Sequence, residues 1–138
     1  MTAADIRVTL VEDQGDGLLF FSDICRMLER LAARVGCDLT AVSQDDSGHP
    51  PTRAYRCGGQ LHPLLSNELG GHRGQLVPAG GDGRVMTARV NVEVSTVPGA
   101  DAGAVIKTYN YVQARVIRHA TGERLPLPEV LAGREAMH

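Results

Sequence analysis

The chain has 138 residues, 43% of them hydrophobic and 22% charged, with a formal net charge of −2. That length builds one compact domain around one core, and the slightly acidic balance argues against a bulk nucleic-acid binder such as a DNA-coating protein. No apolar run reaches bilayer length, and residues 1–5 have neither the basic start nor the apolar stretch of a signal peptide, so a cytoplasmic protein without a membrane partner is expected.

Residues 6–11 alternate apolar and polar side chains and predict a first strand. Residues 12–17 are an acidic, glycine-containing turn. Asp13 or Asp16 is placed there to cap the next helix, because a carboxylate accepts from the amide donors of a first helical turn. The helix runs to about Val35. Phe20, Ile24, Met27, Leu28, Leu31 and Val35 share one face, while Arg26, Glu29, Arg30 and Arg34 fall mostly on the other. Gly36 is positioned to end it in a left-handed conformation. Residues 37–43 predict a second strand, 44–51 a loop, 53–56 a third strand, and 61–69 a short helix with Pro63 near its first turn. Residues 84–95 are the clearest strand, with Met86, Ala88, Val90, Val92 and Val94 on one side and Thr87, Arg89, Asn91 and Glu93 on the other. Residues 104–109 and 115–119 add two strands, and 126–131 a final helical turn. The fold class is α+β: one main helix packed on a mostly antiparallel sheet.

Charge is uneven along the chain. Residues 1–50 hold four Arg/Lys against nine Asp/Glu, a balance of −5, and residues 51–138 hold ten against seven, a balance of +3. Cys25, Cys37 and Cys57, with the five histidines, show no metal-ligand spacing, so reduced thiols, no metal and no cofactor are expected.

Two stretches carry a recognisable chemistry. The first is Gly70-Gly71-His72-Arg73-Gly74-Gln75-Leu76-Val77-Pro78-Ala79, followed by Gly83-Arg84-Val85-Met86-Thr87; the second is Lys107-Thr108-Tyr109-Asn110-Tyr111-Val112-Gln113-Ala114-Arg115-Val116. Before them come Gln14-Gly15-Asp16-Gly17, Phe20-Phe21-Ser22-Asp23-Ile24-Cys25-Arg26-Met27 and Val35-Gly36-Cys37. In this order they resemble class I peptide chain release factors, which read stop codons in the ribosomal A site. The resemblance covers roughly residues 6–133. It implies a single decoding domain over 1–138, in which segments 5–96 and 104–133 fold together. They are joined at 97–103, where the family's catalytic Gly-Gly-Gln domain is absent; the family's N-terminal helical arm is absent too.

By the same resemblance, Asp16, His72, Arg73, Gln75, Pro78, Ala79, Gly80 and Arg84 occupy codon-recognition positions. Lys107, Asn110, Gln113 and Arg115 occupy positions near ribosomal RNA. The departures are specific. Asp16 stands where release factors have Glu. Pro78-Ala79-Gly80 replaces Pro-x-Thr or Ser-Pro-Phe, so the hydroxyl that reads a base edge is gone, a loss of about 1–3 kcal/mol of discrimination per base. Met86 replaces a base-stacking histidine, and alternation points it at the core. Val112 and Ala114 replace Pro and Gly.

Cys57-Gly58-Gly59-Gln60 mimics the catalytic tripeptide, but it precedes the decoding segment and aligns with a turn inside the decoding domain. No enzyme activity is expected. The expected function is a non-catalytic protein that binds the small-subunit decoding centre (ribosomal RNA and messenger RNA) or a related RNA, with degraded stop-codon specificity, and regulates translation. The alternative is a repurposed scaffold that binds a protein or small molecule without the ribosome. A hydrolase using Gln60 or Cys57 is a third class, for which no Ser/His/Asp or Cys/His arrangement can be argued from spacing.

Overall fold

Alternation places Ile6, Val8 and Leu10 on one side of the strand Ala4–Asp13 (β1), and all three are buried. The structure, a computed structural model, describes residues 4–45, 50–58, 60–94 and 104–134. The helix Gly17–Val35 (α1) follows. Its apolar stripe is buried from Phe20 through Leu31, and Arg26, Glu29, Arg30 and Arg34 face solvent. Asp13 supplies the cap: its Oδ1 accepts from the amides of Gly15 and Gly17, both at 2.9 Å. Asp16 makes no side-chain cap and instead takes the left-handed conformation, φ 56. Gly36, at φ 69, closes the helix as its sequence position predicts.

The remaining elements are strands Leu39–Asp45 (β2) and Thr52–Cys57 (β3), helix Pro63–Ser66 (α2), and strands Gly70–Leu76 (β4), Met86–Val94 (β5), Val105–Asn110 (β6), Arg115–Arg118 (β7) and Arg124–Pro126 (β8). A last helix spans Leu127–Leu131 (α3). The eight strands form one sheet in the order β2-β3-β1-β5-β4-β6-β7-β8. Every pairing is antiparallel except β4 with β6, which is parallel. The helices pack on one face of this sheet, α1 lying over β1 and β5. The α+β class expected from the sequence is the one observed.

Two elements depart from expectation. Residues 70–76, for which the sequence predicts no element, form a central strand between β5 and β6. Glycine weakens an isolated strand, which hides the signal, but here it makes room. A Cβ on Gly74 would stand 2.7 Å from Cγ of the Phe20 ring, so only glycine lets α1 lie this close to β4. The helix expected over 61–69 shortens to four residues, with the His62 ring nitrogen accepting from the Leu64 amide at 3.1 Å as its cap. The expected junction at 97–103 lies outside the described residues.

Candidate nucleic-acid interface

The ends of β1, β4 and β6 and the starts of β5 and β7 meet at one edge of the sheet. Three connections therefore cluster there: residues 14–16, 77–85 and 111–114. They are tied together. Gln14 and Thr87 exchange bonds, Gln14 N to Thr87 O at 3.0 Å and Thr87 N to Gln14 Oε1 at 2.9 Å. The Tyr111 amide donates to Gln75 O at 3.0 Å, and a Cβ on Gly15 would lie 2.9 Å from Pro78 Cγ. Met86, half-buried, packs beneath Gly15.

This tip holds six of the residues singled out in the sequence. Asp16, Ala79, Gly80, Arg84 and Gln113 are exposed and Pro78 is half-buried. Arg84 is held by Asp82, Nε to Oδ2 at 2.8 Å. The Gln113 amide donates to Asn110 Oδ1 at 3.0 Å, shaping the β6–β7 turn. Arg73, Gln75, Asn110 and Arg115 lie elsewhere, on the sheet face opposite the helices, where each is half-buried. Register brings them together: Arg73 pairs with Arg89, Gln75 with Asn110, and Asn110 with Arg115.

His72 and Lys107 require correction. Alternation turns both onto the helix-covered face. His72 is fully buried, its Nε2 donating to the Glu68 carbonyl oxygen at 2.8 Å and its Nδ1 sharing a hydrogen bond with the Tyr109 hydroxyl, also at 2.8 Å. Lys107 is equally enclosed, its Nζ donating to both Glu68 carboxylate oxygens at 2.6 and 2.7 Å. Neither side chain reaches a ligand outside the core. They hold the fold: charge buried this deeply persists only when paired and hydrogen-bonded. Glu68 is the residue that sequence reading missed, and its position at the end of a short helix gives no signal.

A second missed feature is apolar. Val11, Leu18, Leu19, Val77, Val85 and Val112 are each between 44% and 60% exposed, and all six belong to the tip or its immediate flanks. The aromatic rings near the tip point inward instead. Phe20 meets Tyr109 edge-on at 5.3 Å and Tyr111 at 6.1 Å, and the Tyr111 hydroxyl donates to Asp23 Oδ2 at 2.7 Å. Burial and that carboxylate push the Tyr111 hydroxyl well above the usual tyrosine value.

Gln60 sits far from the tip, beyond the C-terminal end of α1, a helix whose nineteen residues span about 28 Å. Gly58, Gln60, Leu61 and His62 line a cleft of about 430 Å³ with Cys37 and Asp38. The Cys37 and Cys57 sulfurs are 3.3 Å apart. Burial, then the neighbouring Cys37 and Asp38, pushes the Cys57 thiol up to about 11, so it stays protonated near neutral pH. Among the described residues no three His, Cys, Asp or Glu side chains are grouped to hold a metal. No helix among them is long and apolar enough to cross a membrane.

No family model matches the sequence, and no curated protein matches it. Among solved structures the chain is similar to RF2 of Thermus thermophilus, with a TM-score of 0.77 and 15% sequence identity. The match covers 98% of this chain and 65% of that one. At that identity the likeness speaks for the fold alone, and the fold is release-factor-like.

Proposed function

We propose that this chain binds the decoding centre of the small ribosomal subunit, or an RNA shaped like it, and acts there by occupancy. The observation that carries the reading is the convergence of residues 14–16, 77–85 and 111–114 at one end of a release-factor-like fold. These connections carry exposed Asp16 and Arg84 and half-buried Pro78, which match the family's reading positions, and exposed Gln113, which matches a position near ribosomal RNA. Base discrimination is weak on this reading. Ala79 and Gly80 offer no side-chain hydrogen-bond partner, and Met86 is packed under Gly15 rather than presented to a base. Peptide release is not part of this reading: Gln60 lies beside Val35 and Gly36, at the end of α1 away from the tip. The chain's effect would be to compete with termination, stall a ribosome or shield it.

Co-sedimentation with messenger-programmed small subunits tests this. Salt-sensitive binding that weakens in an Arg84→Ala variant supports the reading. Absence of binding at micromolar protein and low salt overturns it.

A second reading has its own observation. The six half-exposed aliphatic side chains around the tip are better suited to a protein surface than to base edges. On that reading the fold is a scaffold for a protein partner. Pull-down of one non-ribosomal protein, lost in a Val85→Asp/Val112→Asp variant and unaccompanied by ribosomal proteins, would select it.

A further inference from the structure

At the end of α1 away from the tip lies a pair of cysteines that RNA binding does not use. Gly36 ends the helix, and the Cys37 amide donates back to Ala32 O at 2.9 Å, turning the chain towards β2. Cys57 is the last residue of β3 and stands opposite Leu39 in the β2–β3 register. The pairing runs one step past the strands, with the Gly58 amide donating to Asp38 O at 2.9 Å. Cys37 and Cys57 are therefore diagonal neighbours across two antiparallel chains, within side-chain reach. Their sulfurs lie 3.3 Å apart, across 20 residues of sequence. A disulfide holds its sulfurs at about 2.05 Å, so the bond needs a closure of roughly 1.3 Å.

The two sulfurs differ in access. Cys57 is fully buried, whereas Cys37 is half-buried and lines the cleft of about 430 Å³ with Asp38, Gln60, Leu61 and His62. That volume is of the size that holds small molecules, about 300–1,000 Å³. Burial, then the neighbouring Cys37 and Asp38, keeps Cys57 protonated near neutral pH. Cys37 is thus the sulfur that a reagent in the cleft meets first. Cys25, the remaining cysteine, is enclosed in the core on α1. Among the described residues no third side chain is grouped with the pair as a metal ligand, so the donor set suits thiol exchange better than four-coordinate zinc.

We infer that Cys37 and Cys57 form a reversible disulfide by exchange with a small-molecule disulfide of the glutathione type, which enters through the cleft. The Cys37 thiolate attacks one sulfur of the reagent; the new S–S bond forms, the reagent's S–S bond breaks, and one thiolate leaves. Cys57 then attacks the Cys37 sulfur, gives its proton to the departing group, and expels the second reagent thiol. Two protein thiols and one reagent disulfide become one protein disulfide and two reagent thiols. Two electrons pass to the reagent, and both thiol protons end on it. In a reducing compartment such a bond is transient, made and broken as the thiol pool changes. When made, it fastens β2, an edge strand paired with β3 alone, at its entry from α1. This chemistry stands apart from RNA binding, since the cysteines and the tip lie at opposite ends of α1.

The test is exposure of the folded, reduced protein to glutathione disulfide, followed by acid quench, alkylation, intact mass and peptide mapping. Wild type is expected to lose two hydrogens, to link Cys37 to Cys57, to keep Cys25 as a thiol, and to regain its starting mass with dithiothreitol. Cys57→Ala should stop at a single glutathione adduct on Cys37, and Cys37→Ser should take up none. Phenylarsine oxide, which bridges two adjacent thiols, gives a check on wild type should a variant fail to fold: one equivalent per chain should bind and block the oxidation. The inference is overturned by a glutathione adduct that persists on Cys37 in wild type, by a crosslink that uses Cys25 or a second chain, or by uptake in Cys37→Ser. Thiols left unreacted after free cysteine in the same solution is oxidised, or no arsenical uptake by wild type, would overturn it as well.

Discussion

Replacing Lys107 by Met leaves the Glu68 carboxyl without its counter-charge inside the core. The two side chains are 4% and 3% exposed, and Nζ lies 2.6 Å from the carboxylate. Water does not reach the abandoned charge, so the loss includes most of its desolvation penalty. Breaking such a pair from one side costs about 3–5 kcal/mol. Against a domain stability of about 5–15 kcal/mol, that is a large fraction. The pair joins the end of α2 to β6 across 39 residues of sequence, so the loss should loosen the docking of the C-terminal strands on β4. Removing both charges, as Glu68→Leu/Lys107→Met, should recover most of the loss, because a well-packed apolar pair of similar volume is often neutral or stabilising. The Glu68 carbonyl, which receives the His72 hydrogen bond, survives that change. Urea unfolding followed by circular dichroism on the two single variants and the double variant gives the coupling energy. A Lys107→Met loss under about 1 kcal/mol, together with weakened RNA binding, would refute the assignment of Lys107 to the core and return it to the surface.

Three further outcomes follow from the same packing. Gly74→Ala should lose about 1–3 kcal/mol, because its Cβ would enter the Phe20 ring at 2.7 Å, and thermal unfolding reads this directly. Asp13→Ala should lose about 1 kcal/mol by freeing the Gly15 and Gly17 amides, while Asp16→Ala, which removes no cap, should leave unfolding midpoints nearly unchanged. The fold holds Cys57 as a thiol, raising it from its ordinary 9.0 to about 11. Its contribution to stability is therefore complete below pH 9 and lost as pH rises towards 11, because the unfolded chain gives up that proton first. Tyr55 and Tyr111, both raised from 10.0, add a second decline that begins about one pH unit later. Denaturant titrations should show the first part of this fall disappearing in Cys57→Ala while the tyrosine part remains.

Much of this fold is legible in the sequence where one periodicity dominates. The apolar stripe of α1 and the alternation of β5 each predict the buried set because a single packed face decides them. Gly36 announces the helix end for a local reason, its left-handed backbone. β4 is not legible, because Gly70, Gly71 and Gly74 suppress strand propensity and serve contacts that form only on folding: with Ile106, Arg89 and Phe20. The candidate site divides in the same way. Family resemblance marks a run of residues, but a strand sends alternate members to opposite faces. His72 and Gly74 therefore enter the core while Arg73 and Gln75 stay outside, and Lys107 enters while Asn110 stays outside.

Competition with an authentic release factor tests the central claim most directly. Ribosomes programmed with a stop codon in the A site would be mixed with this chain, fluorescently labelled, and titrated with unlabelled release factor. Occupancy of the decoding centre predicts full displacement of the label, with a midpoint that rises in proportion to the concentration of this chain. Simultaneous retention of both proteins, or no binding of this chain to the programmed ribosome, would contradict it.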